Sequence, residues 1–160
     1  MKTIFQHIVP VLLALVICSS GICWAIVIKV TGNWSVDIDA SNLQAGAGSN
    51  LISTYESSAD LVTIDISDTV GDWAVNVRMD EGGDWHPNLH LYVKRTSDGT
   101  GGSISGGSVY QLLTDTDQPF FNGNGDRSGV NVQLQLTGVS IQVPPDVYIT
   151  TVYYTVSDQG

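Results

Sequence analysis

The feature that most constrains this chain is an alternation of apolar and polar side chains that recurs, with period two, along most of its length. Trp34, Val36 and Ile38 alternate with Ser35 and Asp37, and Val62, Ile64 and Ile66 with Thr63, Asp65 and Ser67. Trp73, Val75, Val77 and Met79 alternate with Ala74, Asn76 and Arg78, and Leu89, Leu91 and Val93 with His90 and Tyr92. Val130, Val132, Leu134 and Leu136 alternate with Asn131, Gln133 and Gln135. Successive side chains of an extended strand point to opposite faces, so each run buries one face and wets the other. Burial on one side only is the pattern of antiparallel sheets. Val147–Val156, rich in β-branched and aromatic residues, reads as the closing strand.

Turn-forming residues separate the runs: Asn42–Asn50, Asp68–Asp72, Asp80–Asp84, Ser97–Ser108, Asn122–Gly129 and Pro144-Pro145-Asp146. Ser97–Ser108 reads as a long mobile loop inside one domain, and Asn122–Gly129 as an Asn-Gly turn region joining two strands. Past Gly138 the apolar residues Val139, Ile141 and Val143 continue on the other parity, which predicts a bulge or bend. About seven or eight short strands with turns at this spacing predict an all-β, antiparallel β-sandwich, Ig-like or jelly-roll-like, as a single domain over residues 26–160.

Residues 1–25 read as a signal peptide. Lys2 supplies a positive start, Ile8–Ile17 is a short apolar run, and Cys23 and Ala25 occupy the −3 and −1 positions of a cleavage site that leaves Ile26 as the mature N-terminus. The run is shorter than the roughly 20 residues a bilayer span needs. The alternative is a retained anchor reaching Val30, since no formal charge lies between Lys2 and Lys29. Lipid attachment at Cys18 is disfavoured, because Ile17 stands where a small residue is wanted. The expected address is therefore secreted, extracellular or cell-surface, with no membrane contact after cleavage. Both cysteines, Cys18 and Cys23, fall in the leader, so the mature domain is expected to carry no disulfide, thiolate or cysteine metal site.

Charge narrows the partners. Sixteen acidic residues face six basic ones, and losing Lys2 takes the formal charge from −10 to −11. Neutralising a phosphate backbone requires clustered Lys and Arg, and Lys94-Arg95 is the only adjacent basic pair, so nucleic acid is excluded as a partner.

The reactive side chains form no pattern that specifies a reaction. His86 and His90 have the H-x-x-x-H spacing of a helical zinc site, but Pro87 and the Leu-x-Leu-x-Val alternation place them in a loop entering a strand, about 13 Å apart along extended backbone. No Glu follows His86 as a zinc protease needs, and no G-x-S-x-G elbow occurs. Asn122, Asn124 and Asp126 set oxygen donors at alternate positions, as calcium loops do, yet Arg127 stands where an EF-hand has Gly and Gln133 where it has Glu. A polar turn is the preferred reading of that stretch, with Ca²⁺ as the minor one and no other cofactor expected. Trp34 and Trp73 lie in phase with the core. Trp85 lies outside that pattern between Asp84 and His86, and Tyr92 shares a polar face with His90, so Trp85, His86 and Tyr92 are the nominated binding surface. Asn33-Trp34-Ser35 is also an N-glycosylation sequon.

The last part of the chain, Asp126-Arg127-Ser128 through Val132-Gln133-Leu134 and then Pro144-Pro145-Asp146 followed by Val147–Val156, resembles the ending of exported microbial β-sandwich surface proteins. Spore-coat-U-like proteins and chaperone–usher-type pilin subunits end in such a strand. The resemblance implies a displayed or assembling surface domain and carries over no catalytic residue. The chain departs from those families in lacking their common disulfide and in having only Ile26–Val30 ahead of Gly32, a short segment for a donor strand.

The expected function is thus non-enzymatic: a structural or adhesive surface domain, a filament or coat subunit whose Ile26, Val27, Ile28 and Val30 add to a sheet edge of another copy. The same segment as the first strand of its own domain is the competing reading. A carbohydrate-binding module using exposed aromatics on a surface glycan is the second function class, and a hydrolase with paired carboxylates the third.

Overall fold

The computed structural model describes residues 2–6, 25–80 and 82–160. The apolar run Ile8–Ile17, Cys18 and Cys23, on which the leader reading rests, lies outside them. Eleven strands occur among the described residues: β1 (Lys2–Gln6), β2 (Val27–Thr31), β3 (Trp34–Ile38), β4 (Thr54–Glu56), β5 (Val62–Ser67), β6 (Asp72–Asp80), β7 (His90–Arg95), β8 (Thr100–Gly106), β9 (Gln111–Leu112), β10 (Gln118–Thr137) and β11 (Thr151–Asp158). Every ladder is antiparallel, and all strands except β1 and β3 join one nine-stranded sheet. β1 and β3 form a separate pair.

β10 is the spine of that sheet. Phe121 pairs with Val75 of β6 and with Gly106 of β8, and Arg127 with Ile66 of β5 and Gly101 of β8. Val132 pairs with Val62 of β5 and Arg95 of β7, and Leu136 with Tyr55 of β4 and Leu91 of β7. A strand has two edges, so β4, β5 and β6 follow one another along one edge of β10, and β7 and β8 along the other. β2 extends the sheet beyond β5, β11 beyond β6 and β9 beyond β7.

A straight strand of this length would span about 65 Å, well beyond the diameter of so small a domain. It bends instead. Register shifts fall between Asn124 and Arg127 against β8 and between Arg127 and Val130 against β5, the bulges that sharpen local twist. The flanking tracks break at the same level, between β5 and β6 and between β7 and β8. The sheet therefore coils nearly into a barrel, with β11 brought alongside β2 without a ladder between them.

Polar groups clamp the bend. Asp65 Oδ1 accepts the Gly129 N–H and the Ser128 hydroxyl, each at 2.8 Å. Asp126 Oδ1 accepts the Thr69 N–H at 3.0 Å and its hydroxyl at 2.9 Å. The buried Arg127 donates from Nε to the Asp98 carbonyl at 2.8 Å. The donors that face Asp65 and Asp126 hold both carboxyls below their ordinary 3.8.

The main core fills the coil: Ile28 and Val30 from β2, Val62, Ile64 and Ile66 from β5, Trp73, Val75, Val77 and Met79 from β6, with the inward residues of β7, β10 and β11. The β5, β6 and β7 members and Val130, Val132 and Leu134 of β10 are the residues that the alternation selects. The all-β antiparallel expectation holds, with one continuous coiled sheet where stacked sheets were expected.

Four local expectations are corrected. Asn122–Gly129, read as a turn, runs inside β10, and Ser97–Ser108, read as a loop, contains β8. Glycine is the common reason. A Cβ on Gly102 would strike the Asn124 carbonyl, and one on Gly101 the Asp126 carbonyl, so these glycines serve the close approach of two strands at a bulge. Val139, Ile141 and Val143 form no strand: β10 ends at Thr137, and Gly138 turns away with φ +83°. The closing strand begins at Thr151, while Thr150 bonds through its hydroxyl to the Asp80 carbonyl.

Two predictions follow from the bend. A Cβ at Gly123 would meet the Ser103 carbonyl and the Trp73 ring, whereas one at Gly129, with φ +71°, meets nothing within 4 Å. Gly123→Ala should cost about 3 kcal/mol in urea unfolding and Gly129→Ala about 1 kcal/mol. Equal costs would show that the close packing at Gly123 is unimportant. Because the folded pKa values of Asp65 and Asp126 are depressed, their stabilising contribution is complete above about pH 3.8 and is lost as pH falls below it. Asp65→Asn should therefore flatten the acid limb of a stability–pH curve and leave its alkaline limb unchanged.

Candidate functional site

A second apolar cluster, Leu89, Leu136, Val139 and Tyr148, closes one end of the coil, and Trp34, Val36 and Ile38 of β3 pack onto it. Beside it opens a cleft of about 700 Å³. Its walls come from residues 38–43 after β3, from Leu51, and from the segment after β10 that includes Val139, Ile141, Val143 and Tyr148. Leu89, Val139 and Tyr148 are buried, while Ile141 is 63% exposed.

Each wall is pinned by its own polar ties. Asp39 caps the short 3-10 turn Ala40–Asn42: its Oδ1 accepts the Ser41 N–H at 2.8 Å and the Ser41 hydroxyl at 2.6 Å, while Asn42 Oδ1 accepts the Asp39 N–H at 2.9 Å. The Ser41 bonds hold the Asp39 carboxyl below its ordinary 3.8, so it is ionised at neutral pH. The Ile141 N–H donates to Asn50 Oδ1 at 3.0 Å, and the Tyr148 hydroxyl to the Pro144 carbonyl at 2.6 Å. Asp146 Oδ1 accepts the Val147 N–H at 2.9 Å. Asp39 and Asp146 both line the cleft, and no Lys, Arg or His lines it among the described residues. Tyr55, packed on the same cluster, has a buried hydroxyl with no hydrogen-bond partner among the described residues, and burial followed by the nearby Asp39 charge raises its pKa.

The residues nominated from sequence are dispersed. Trp85 packs against both apolar clusters, and its indole N–H donates to the Leu89 carbonyl at 2.9 Å. Its ring is thus half-buried against them, because the turn after it folds back, with the Leu89 N–H on the His86 carbonyl at 2.9 Å. That return contact spans only four residues and leaves no periodic trace. The His86 ring stands edge-on to Tyr148 at 6.0 Å between centroids, and its Nδ1 accepts the Asn88 N–H. Tyr92 sits on the outward face of β7, opposite Gln135 and Leu112. Trp85 and His86 thus adjoin the second cluster and Tyr148, while Tyr92 faces outward from β7. His90 begins β7 with its side chain exposed.

Asn122, Asn124 and Asp126 follow one another along extended backbone, with repeats of about 7 Å. Asn124 donates to Asp72 at 2.8 Å and Asp126 accepts from Thr69, so the three oxygens do not converge into the six-to-eight-oxygen cage of Ca²⁺. Among the described residues no group of three or more His, Cys, Asp or Glu is arranged to hold a metal ion. Ile26 packs against the main core, and Val27, Ile28 and Val30 belong to β2, paired with β5 of their own chain.

The cleft went unpredicted. Its local signals were an Asp-x-x-Asn cap at Asp39–Asn42 and the Pro-Pro-Asp turn, which mark turns without revealing that the two turns meet. A further polar group lies on the outer face, where Glu56 accepts from the Tyr110 hydroxyl at 3.1 Å and from Gln135 at 2.7 Å, and Lys94 Nζ sits 4.3 Å above the Tyr110 ring. Burial, followed by the Glu56 contact, pushes the Tyr110 pKa up to about 12.

No family model and no curated protein matches the sequence, and no solved structure matches the fold.

The placement of Trp85 is open to a direct check. Trp85→Ala should destabilise the fold by about 3 kcal/mol, and Trp85→Phe, which keeps a ring but loses the indole bond, by about 1 kcal/mol. Tyr92→Ala should cost less than either. Chemical denaturation of the three variants gives the ranking, and a Trp85→Ala protein as stable as the parent would contradict interior packing.

Proposed function

We propose that the chain is an exported, non-enzymatic surface domain that assembles with further copies by strand addition, and that β3 is the edge that accepts the incoming strand. The observation that carries this reading is the pairing of β3. Its only ladder among the described residues is with Lys2–Gln6, in the register Lys2 with Ile38 through Gln6 with Trp34. If the leader is removed at Ala25, that five-residue edge loses its partner and presents bare N–H and C=O groups, the template for adding a strand.

The packing supports β3 over a donated Ile26–Val30. Ile28 and Val30 are buried in their own core, 1% and 7% exposed, so donating β2 would open that core. Trp34, Val36 and Ile38 are half-buried on the second cluster and hold β3 in place as a platform, while Ser35 and Asp37 face outward. In this reading the coiled sheet behaves as a sandwich, the parts before and after the bend serving as its two layers. The likeness of the closing segment to displayed and assembling surface proteins points the same way.

Residues 26–160, purified without the leader, should self-associate in size-exclusion chromatography with light scattering, and an excess of a peptide spanning Lys2–Gln6 should return them to monomers. Monomers throughout, at concentrations of tens of micromolar and above, would remove β3 as an assembly edge. Deleting residues 26–30 should unfold the domain instead of merely dispersing it.

A further inference from the structure

We infer that the strand β3 receives is β3 of a second copy, laid antiparallel in a register centred on Val36, so that assembly closes at a two-fold dimer. The inference rests on the proposed assembly through β3 and names the partner strand which that reading leaves open.

β1 sets the terms of acceptance. It lies antiparallel to β3 over five residues, with Ile4 opposite the central Val36. β3 meets the same terms. It too is five residues long, bounded by Gly32 at φ +135° and Asn33 on one side and by the Asp39-capped turn on the other. Turned end for end about Val36, β3 of a second copy overlaps β3 along its whole length. Val36 then stands opposite Val36, and Trp34 opposite Ile38. In the β1 register those outer positions carry Lys2 and Gln6.

Both faces of this pairing are self-complementary. Trp34, Val36 and Ile38 are half-buried on the second apolar cluster. A two-fold axis perpendicular to the sheet keeps the same face of both strands on one side, so the apolar row runs on across the junction and the two clusters adjoin. On the other face Ser35 and Asp37 are exposed. Each Ser35 then stands opposite Asp37 of the second copy, a hydroxyl donor against a carboxylate, and no two like charges stand directly opposite.

The other free edges fit less well. β4 and β9 span three and two residues. β8 is mostly glycine and serine, with Ile104 its one large apolar residue. β2 and β11 lie alongside each other, so their outer edges are turned into the seam between them. Among the described strands, β3 alone combines length, apolar alternation and an edge that leader removal frees. An edge that pairs with itself is used up in both copies, so growth stops at two.

The test uses residues 26–160, at tens of micromolar and above. Light scattering should give twice the monomer mass and no larger species. Ser35→Asp sets like charges opposite each other at two symmetric places and should weaken the dimer about fivefold. Adding Asp37→Lys to that variant sets opposite charges there and should restore it. Both positions are exposed, and circular dichroism checks the fold of each variant. Residues 26–160 contain no cysteine. A Ser35→Cys protein mixed with an Asp37→Cys protein should therefore oxidise to the mixed disulfide in preference to either symmetrical one. Only the mixed pair is directly opposite, inside the roughly 4.4–6.8 Å Cα separation that a disulfide spans. Monomers throughout would remove assembly through β3 and this pairing with it. Larger polymers, association indifferent to Ser35→Asp, no rescue by the charge exchange, or a preference for symmetrical disulfides would leave assembly standing and overturn the pairing of β3 with itself. Because the mass is measured on the unaltered sequence of residues 26–160, a variant that fails to fold does not spare the proposal.

Discussion

The structure depends on one long strand being satisfied along both edges while it changes direction. β10 carries hydrogen-bonding groups along 20 residues, and a bend in so long a strand strands some of them unless its neighbours bend too. Here the neighbours break where β10 bulges. Side chains take over the bonding at that level: Asp65 receives Gly129 and Ser128, Asp126 receives Thr69, and Arg127 reaches the Asp98 carbonyl. Of these groups Arg127 is buried, Asp65 half-buried and Asp126 exposed, and the buried one, costly if unpaired, has its partner. The bend is therefore a polar structure built into an apolar coil, and it brings the strands on either side of it around a single core.

Coiling creates two ends with different fates. The interior of the coil is filled by close-packed side chains from six strands, Trp73 largest among them. At the end carrying Leu89 and Leu136 the sheet runs out, and closure falls to β3 and the irregular chain after Gly138. Irregular chain packs less efficiently than a sheet face, because its backbone groups need local partners that dictate where side chains point. Asp39, Asn50 and Asp146 supply those partners, and the space left between the two irregular segments is the cleft. The same end holds β3, so the proposed assembly edge and the cleft are neighbours on one structural feature.

Much of the architecture was legible in residue order. The parity of Val62–Ile66, Trp73–Met79, Leu89–Val93 and Val130–Leu136 names the inward residues of four strands, and all of these inward residues are buried. What misled was glycine. Asn122–Gly129 and Ser97–Ser108 have the composition of turns, and glycine's role there was steric clearance between paired strands, which depends on what lies across the ladder. Tryptophan misled in the opposite direction. Trp85 broke the local period and so looked exposed, yet a turn five residues long packs it half-buried against both apolar clusters. The candidate site was the least legible part, since Asp39 and Asp146 each look like ordinary turn residues in isolation.

Residue order by itself determined the class of the fold and the contents of its core, because burial of alternate side chains is a local property of each extended segment. It also determined the acidic surface. Only the tertiary structure decided that β5 and β6 lie end to end along one edge of β10, that the sheet coils, and that turns separated by about a hundred residues enclose one cleft. Those outcomes rest on which backbone edges meet across the sheet, and pairing between distant segments is set by the packing of the whole chain, to which no single stretch of sequence has access.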